Sequence, residues 1–182
     1  MWEAYIAGTV PVGAVIVDPG GKVVARGRNR IFNDTFDGQL AFTRLAHAEV
    51  NALVQLGSDQ TYEEFHLYTA LEPCHLCLSA AIAVRVGTLH YAAADRYGGA
   101  VGMLLPSADH VAHPTRIEGP LLGSVGRLPE MLLVAHILWR CPGGDVSRFY
   151  ERIDPLTIAV ARTLPPPDSG AALEDALAAL TP

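Results

Sequence analysis

The spacing of apolar positions along the chain predicts alternating short helices and strands. Residues 2–7 have the pattern of the last turns of a helix, which Gly8 ends. The apolar run 12–17 predicts a strand that is buried on both faces, and residues 22–28 predict a second strand. Turn-forming residues 18–21 lie between them, so the two strands are expected to form a hairpin.

The rest of the first 140 residues continues this alternation. A helical stripe over 43–57 predicts a helix with Thr43 as its N-cap, and Gly57 ends it. The element order indicates a sheet sandwiched between helices. The further predicted helices span residues 74–85 and 128–140, and the further predicted strands span 65–71, 88–94 and 116–120.

A loop and a tail stand outside this pattern. Residues 29–42 lose all periodicity but carry three phenylalanines, Phe32, Phe36 and Phe42, and a loop this long is typical of a functional lid. The composition changes after residue 154, so we expect a domain over 1–153 and an extension over 154–182.

The extension is rich in proline and alanine and ends in a predicted helix. Asp168 or Ser169 is expected to cap this helix, which runs to Leu180. Two interpretations are open: a docked or loose tail, or a lid that reaches over an active site.

Composition and charge exclude several classes of protein. The 182 residues are 50% hydrophobic and can bury one ordinary core. With 13 basic and 19 acidic residues the net charge is −6, which argues against a dedicated nucleic-acid binder. No apolar run is long enough to cross a bilayer and no secretory signal is visible, so we expect a soluble protein without membrane contact.

The cysteines point to a metal. Three cysteines cannot form a disulfide framework, and two of them, Cys74 and Cys77, form a CxxC that suits a reducing cytoplasm. They lie one turn apart at the start of a predicted helix, whose positive end favours thiolates. With His47, from the start of another helix, they offer Zn²⁺ two sulfurs and one imidazole and leave its fourth position open.

Glu49 completes the chemistry that this metal site requires. It follows His47 by two residues, so it cannot point in the same direction, but it can reach the open position. A zinc ion makes water nucleophilic, and a carboxylate that is not a ligand can move its protons. Two other interpretations stay open: a purely structural metal site, and a solvated Glu49. Cys141 is expected to pack as a small hydrophobic residue.

The two motifs together carry a family resemblance. The H-x-E of residues 47–49 and the P-C-x-x-C of residues 73–77 form the zinc deaminase signature. With the neighbouring segments 11–17, 47–53 and 68–77, the chain resembles the cytidine deaminase-like superfamily. The similarity is greatest to the branch of bacterial guanine deaminases and tRNA-specific adenosine deaminases. It covers roughly residues 2–105 and fades afterwards.

The resemblance implies a fold, a cofactor and site residues. The fold is a three-layer α/β/α sandwich on a five-stranded mixed sheet, and members of this branch are usually homodimers. One catalytic Zn²⁺ per subunit is implied, with Glu49 as proton shuttle. His47, Cys74 and Cys77 are the implied zinc ligands; Asn29, Ala48, Leu71 and Glu72 are the implied contacts to the bound base, the last three through backbone groups.

Four further residues are weaker candidates for substrate contact. His75 lies between the two cysteines and could touch substrate, although an exposed position at the helix start is the alternative. Phe32 and Phe42 could stack on a planar heterocycle or form a small core of their own loop. Asp95 follows a strand, at the place where the resemblance implies that later loops approach the pocket; the alternative is that it belongs to a simple turn.

These features together predict a zinc-dependent hydrolytic deaminase of a small amino-heterocycle. Guanine-like, cytosine-like and modified or triazine bases, and their nucleosides, are the expected substrates, with ammonia as product. A first alternative is tRNA-specific adenosine deamination, which the acidic composition disfavours because phosphate contacts need basic residues. A second alternative is an inactive zinc-binding scaffold, which an intact Glu49 disfavours.

Overall fold

A five-stranded mixed sheet forms the centre of the computed structural model, which describes residues 1–34, 38–167 and 169–178. The strand order is β2-β1-β3-β4-β5. β1 pairs antiparallel with β2 and with β3, whereas β4 runs parallel to both β3 and β5. The strands span Gly13–Val17 (β1), Val23–Arg28 (β2), His66–Leu71 (β3), Thr88–Ala93 (β4) and Arg116–Glu118 (β5).

Helices cover this sheet and complete the α/β/α sandwich that the sequence predicts. In the described part of the chain none of them is long and apolar enough to cross a membrane. They span Trp2–Ile6 (α1), Ala48–Leu53 (α2), His75–Val84 (α3), Ala108–Ala112 (α4), Gly123–Arg140 (α5), Asp145–Ile153 (α6), Pro155–Ala161 (α7) and Leu173–Ala178 (α8).

Two apolar clusters hold the layers together. In the first, α2 and α3 contact each other and cover the inward side chains of β1 and β3, such as Ile16 and Leu67, which have no exposed surface. In the second, α5 joins α1, α6, α7 and α8 around Leu132 and Tyr150. α5 also contacts β3 and β4, and its Leu133 belongs to the first cluster. The C-terminal helices are therefore tied to the sheet through α5.

The first strand and the second helix differ from the prediction. Residues 12–17 were expected to be buried on both faces, but along β1 buried and half-buried positions alternate. The helix predicted over 43–57 is only α2, and Thr43 is not its N-cap. His47 is the N-cap because the segment before it is hydrogen-bonded to the chain that follows β2. The backbone N–H of Arg30 donates to Ala46 O at 2.9 Å.

The C-terminal half contains more helix than the sequence analysis predicted. α5 begins five residues before the expected start at residue 128 and contains Pro129. α4, α6 and α7 were not predicted at all. The strands near 88–94 and 116–120 are β4 and β5, each slightly shorter than expected.

The extension packs against the remainder of the chain over its described residues. Ile158, Ala161 and Ala176 are buried in the second cluster, with α7 lying against α5 and α6. A domain boundary at residue 154 remains a prediction. Asp168 and Leu180 lie outside the described residues, and Ser169 Oγ accepts a hydrogen bond from the N–H of Ala171, ahead of α8.

Gly27 allows α2 to lie directly on β2. A Cβ atom at this position would stand 2.1 Å from Ala48 O and 2.6 Å from Ala52 N, which are backbone atoms of α2. We expect Gly27→Ala to destabilise the fold by about 1–3 kcal/mol, because α2 must move to accommodate the methyl group. Thermal unfolding measures this loss. Gly102→Ala is the matched control, since a Cβ there meets nothing within 4 Å; equal melting temperatures for the two variants would contradict this account.

Candidate active site

Two helix starts bring one histidine and two cysteines together. His47 is the N-cap of α2 and Cys74 the N-cap of α3, and both have extended backbone angles. Cys77 lies in the first turn of α3 and is 1% exposed. His47 Nδ1 lies 3.6 Å from Cys74 Sγ and 3.4 Å from Cys77 Sγ, and the two sulfurs are 3.7 Å apart.

These donor atoms fit a tetrahedral zinc ion. Zn–S bonds of about 2.3 Å and Zn–N bonds of about 2.0–2.1 Å give ligand-to-ligand edges of roughly 3.8 Å and 3.6 Å in a tetrahedron. Within residues 1–34, 38–167 and 169–178, this is the one group of His, Cys, Asp or Glu side chains whose ligand atoms are close enough to hold a metal ion. The remaining cysteine, Cys141, is exposed, so the expectation that it packs as a small hydrophobic residue is wrong.

The electrostatics of the group favour one thiolate before any metal binds. A hydrogen bond with Cys77 lowers the pKa of Cys74 to about 3, and His47 contributes to the same shift. The hydrogen bond to Cys74 raises the pKa of His47. The pKa of Cys77 is raised by its hydrogen bond with Cys74, by burial and by the charge of Glu49. A metal that takes all three ligands must therefore displace protons.

Glu49 lies beside this group as a buried carboxylate. Its side chain is 3% exposed. Thr69 Oγ1 donates a hydrogen bond to Oε1 at 2.7 Å, and the thiol of Cys77 donates to Oε2 at 3.1 Å. Thr69 therefore fixes one oxygen, and the other faces the metal-ligating group.

A small cavity of about 110 Å³ opens in front of the group. Glu49, His47 and both cysteines of the CxxC line it. The apolar part of the wall comes from five residues of four separate segments: Val10, Val12, Ile31, Leu71 and Leu133. The predicted residues that also line it are Asn29, Leu71, Glu72 and Asp95.

Asn29 is oriented by its own hydrogen bonds. It is 3% exposed, and its Oδ1 accepts hydrogen bonds from Thr9 Oγ1 at 2.8 Å and from the N–H of Ile31 at 3.2 Å. Because Oδ1 is occupied, the Nδ2 amide is the group that this side chain can offer to a ligand in the cavity.

Glu72 and Asp95 shape the loop that closes one side of the cavity. The carboxylate of Glu72 accepts hydrogen bonds from the N–H groups of Asp95 and Val101, both at 3.2 Å. Asp95 Oδ1 in turn accepts from the N–H groups of Tyr97 and Gly98. Acidic side chains thus hold the backbone after β4 in place at the edge of the site.

Four of the predicted contact residues do not line the cavity. His75 is exposed at the start of α3, Phe42 is 75% exposed, and Ala48, whose backbone groups were the predicted contact, is not one of the residues that line the cavity. Phe32 lines a neighbouring chamber instead. Phe36 lies outside the described residues.

Sequence reasoning missed Thr69 and four apolar residues of the cavity wall: Val10, Val12, Ile31 and Leu133. Thr69 is the partner of Glu49, and its signal was available: it is a polar residue at an inward position of β3, between the buried Leu67 and Leu71. Leu133 is an ordinary apolar residue of α5, and nothing in its local sequence indicates that the helix passes the cavity.

Comparison with known proteins identifies the family. Residues 1–93 match the family model described as the cytidine and deoxycytidylate deaminase zinc-binding region. This match covers half of the chain, and the chain belongs to this family. The predicted resemblance is thereby confirmed.

Several curated relatives have been named for tRNA modification. The chain is 38% identical over 108 residues to a tRNA-specific adenosine deaminase of Agrobacterium fabrum, a match that spans 54% of this chain and 64% of the relative. It is 39% identical over 103 residues to a tRNA(Ile)-lysidine synthase of Deinococcus deserti, spanning 55% of this chain but 18% of that protein. The chain therefore spans less than two thirds of these relatives.

Solved structures agree on the fold. One from a study of A-to-I editing by tRNA:A34 deaminases superposes with a TM-score of 0.53 at 31% identity, covering 64% of this chain and 88% of the other. A guanine deaminase from Nitrosomonas europaea superposes with a TM-score of 0.53 at 22% identity, covering 74% of this chain and 77% of the other. The second similarity concerns the fold alone.

Proposed function

We propose that the chain is a zinc-dependent hydrolytic deaminase that converts the amino group of a small nucleobase or nucleoside to an oxo group and releases ammonia. The observation that carries the proposal is the buried carboxylate of Glu49, held by Thr69 and directed at the metal-ligating group. A merely structural metal site has no need of a buried acid beside it, and an inactive scaffold gains nothing from burying one.

In this proposal His47, Cys74 and Cys77 hold one zinc ion per chain. The ion supplies Lewis acidity, which makes water nucleophilic near neutral pH. Held by these three residues, the zinc ion would supply its Lewis acidity beside Glu49. Without metal, the thiol of Cys77 donates its proton in a hydrogen bond to Glu49. Cys77 would lose this proton when the metal binds.

Glu49 moves the protons that the reaction requires. It removes a proton from the attacking water and delivers it to the ring nitrogen beside the amino-bearing carbon. It then transfers the second water proton to the departing amine, so that water and substrate give the oxo product and ammonia. The hydrogen bond from Thr69 holds the carboxylate in position throughout, and the Nδ2 amide of Asn29 orients the bound ring.

The size of the cavity limits the group that reacts beside Glu49 to one ring of the substrate. A cavity of about 150 Å³ holds one benzene ring, and the inner cavity here is about 110 Å³. Only the reacting ring fits beside Glu49.

Ammonia release from a panel of compounds tests this proposal. Guanine, cytosine, adenine, their nucleosides and a set of triazine bases are incubated with protein whose zinc content has been measured. We expect ammonia from one or two of them and an oxo product of matching mass. Zinc-loaded protein that is silent on the entire panel and on tRNA would contradict the proposal.

tRNA adenosine deamination is the second candidate, favoured by the 38% identity to a tRNA-specific adenosine deaminase. The net charge of −6 opposes it, because phosphate contacts rely on basic residues. An inosine assay on an anticodon stem-loop, with a gel shift, separates the candidates: inosine formation at rates above those on every small compound would favour tRNA.

The proposal also includes that the protein forms a homodimer and is located in the cytoplasm.

A further inference from the structure

A second and larger chamber lies directly beside the inner cavity. Its volume is about 470 Å³, and it shares Val10, Asp95 and Leu133 with the inner cavity as common wall residues. The far wall comes from the end of α5 and the start of α6, including Val146. A molecule whose reacting ring occupies the inner cavity would therefore extend into this chamber.

The two volumes suit two different parts of one ligand. The inner cavity suits a ring, and the chamber suits a substituent on that ring. The inner cavity is smaller than one that holds benzene, at about 150 Å³. The chamber, at about 470 Å³, falls within the range of roughly 300–1,000 Å³ that is typical of ligand pockets. A free base would leave this larger space unused.

Aromatic and apolar side chains dominate the chamber. Phe32 stacks on His136 with ring centroids 6.3 Å apart and planes 25° apart. The guanidinium of Arg140 lies 3.5 Å from the centre of the Phe32 ring. Ile137 and Val146 add apolar surface. Such a wall favours a planar or apolar group.

His136 supplies one polar group that has no partner in the described part of the protein. The residue is 2% exposed, and its Nδ1 is buried without a hydrogen bond. Burial, and secondarily the charge of Arg140, lowers the pKa of His136 to about 4, so the ring is neutral near pH 7. His136 therefore contributes a neutral aromatic ring to the chamber wall, which suits a planar or apolar group.

The charges of the chamber do not favour an anion. Two carboxylates, of Asp95 and Asp145, line it together with one guanidinium, that of Arg140. Arg140 already lies over the Phe32 ring. Arg148 pairs with Asp145 at 2.5 Å. Asp95 and Arg140 therefore balance each other, and the chamber offers a phosphate no excess of positive charge.

We propose that this chamber binds an uncharged ring substituent of the substrate, so that the protein prefers amino-heterocycles that carry such a substituent over free bases and over nucleotides. The inference rests on the proposed function for the reacting ring. It assigns Phe32 and His136 to the recognition of the substituent.

Matched pairs of substrates and variants test the inference. The probes are adenine, guanine and cytosine, their N-benzyl derivatives with the benzyl group on the ring nitrogen that carries ribose in the nucleosides, and their nucleosides and nucleoside monophosphates. We expect kcat/KM for the N-benzyl compound to exceed that of its parent base by about tenfold or more. Val146→Trp, which fills the chamber, should lower this ratio by about tenfold or more. Leu156→Trp, a matched enlargement at a site on α7 that is 79% exposed, should leave the ratio unchanged.

Calorimetric binding of the same compounds separates this inference from the proposed function. If free bases react but the N-benzyl compounds react no better, or if Val146→Trp leaves the ratio intact, the inference is wrong and the function stands. Preference for the monophosphates also overturns it. If nothing reacts, the proposed function fails, and calorimetry then decides about the chamber alone. The chamber's role is supported if N-benzyl compounds bind more tightly than their parent bases and if Val146→Trp, but not Leu156→Trp, weakens that binding. Equal binding of N-benzyl compounds and parent bases overturns it.

Discussion

Glu49→Gln is expected to lower kcat by about 10²–10⁴-fold while the protein still binds zinc, because the amide cannot accept or deliver a proton. The variant preserves the shape of the site: its amide oxygen can still accept the hydrogen bond that Thr69 donates at 2.7 Å. Ammonia release at saturating substrate measures the loss, and metal analysis of the same sample measures the zinc. The expected effect is on turnover rather than on metal content.

Glu64→Gln is the matched control for this prediction. Glu64 is exposed, so loss of its charge should leave turnover unchanged. If Glu49→Gln kept full turnover with zinc bound, another group would have to move the protons. If it lost zinc and melted at a lower temperature, Glu49 would be a structural residue rather than the shuttle proposed above.

Cys77→Ala is expected to abolish stoichiometric zinc binding and, with it, all activity. Cys77 lies 3.4 Å from His47 Nδ1 and 3.7 Å from Cys74 Sγ, so its removal leaves only two ligands. A ligand that binds only the folded state stabilises it by about 4 kcal/mol when its concentration is about a thousand times its Kd. Zinc should therefore raise the melting temperature of the unmodified protein and not that of the variant.

Cys141→Ala controls for the loss of a thiol as such. Cys141 is exposed and lies outside the metal-ligating group. The Cys141→Ala variant should bind zinc, and zinc should raise its melting temperature as it does for the unmodified chain. One zinc ion per chain in Cys77→Ala, with activity retained, would contradict the ligand assignment.

The sheet and the metal-ligating group could be predicted from the sequence because their signals are local. The strands β1, β3 and β4 are short, largely apolar runs, and the metal-ligating group follows from two motifs at helix starts. The start of α2 could not be predicted in this way. The sequence pattern of the segment before His47 is helical, but the backbone N–H of Arg30 donates a hydrogen bond to Ala46 O and holds this segment in another conformation.

The C-terminal half shows two different kinds of missed prediction. α6 has a readable signal, with apolar side chains at Val146, Phe149, Tyr150 and Ile153 spaced as on one helix face. α7 likewise begins with Asp154, whose side chain accepts a hydrogen bond from the N–H of Thr157. The chamber beside the active site is different. It is formed where the end of α5, the start of α6 and three loops come together. No local sequence pattern indicates that these segments meet.

The most direct test of the central claim is a zinc titration of the activity. Metal-free protein receives zinc in steps up to one ion per chain, and ammonia release from the best substrate is measured at each step. The account predicts a rate that rises in proportion to bound zinc, stops rising at one ion per chain, and stays near zero in Glu49→Gln. A full rate without zinc, or a rate that does not follow the zinc content, would contradict it.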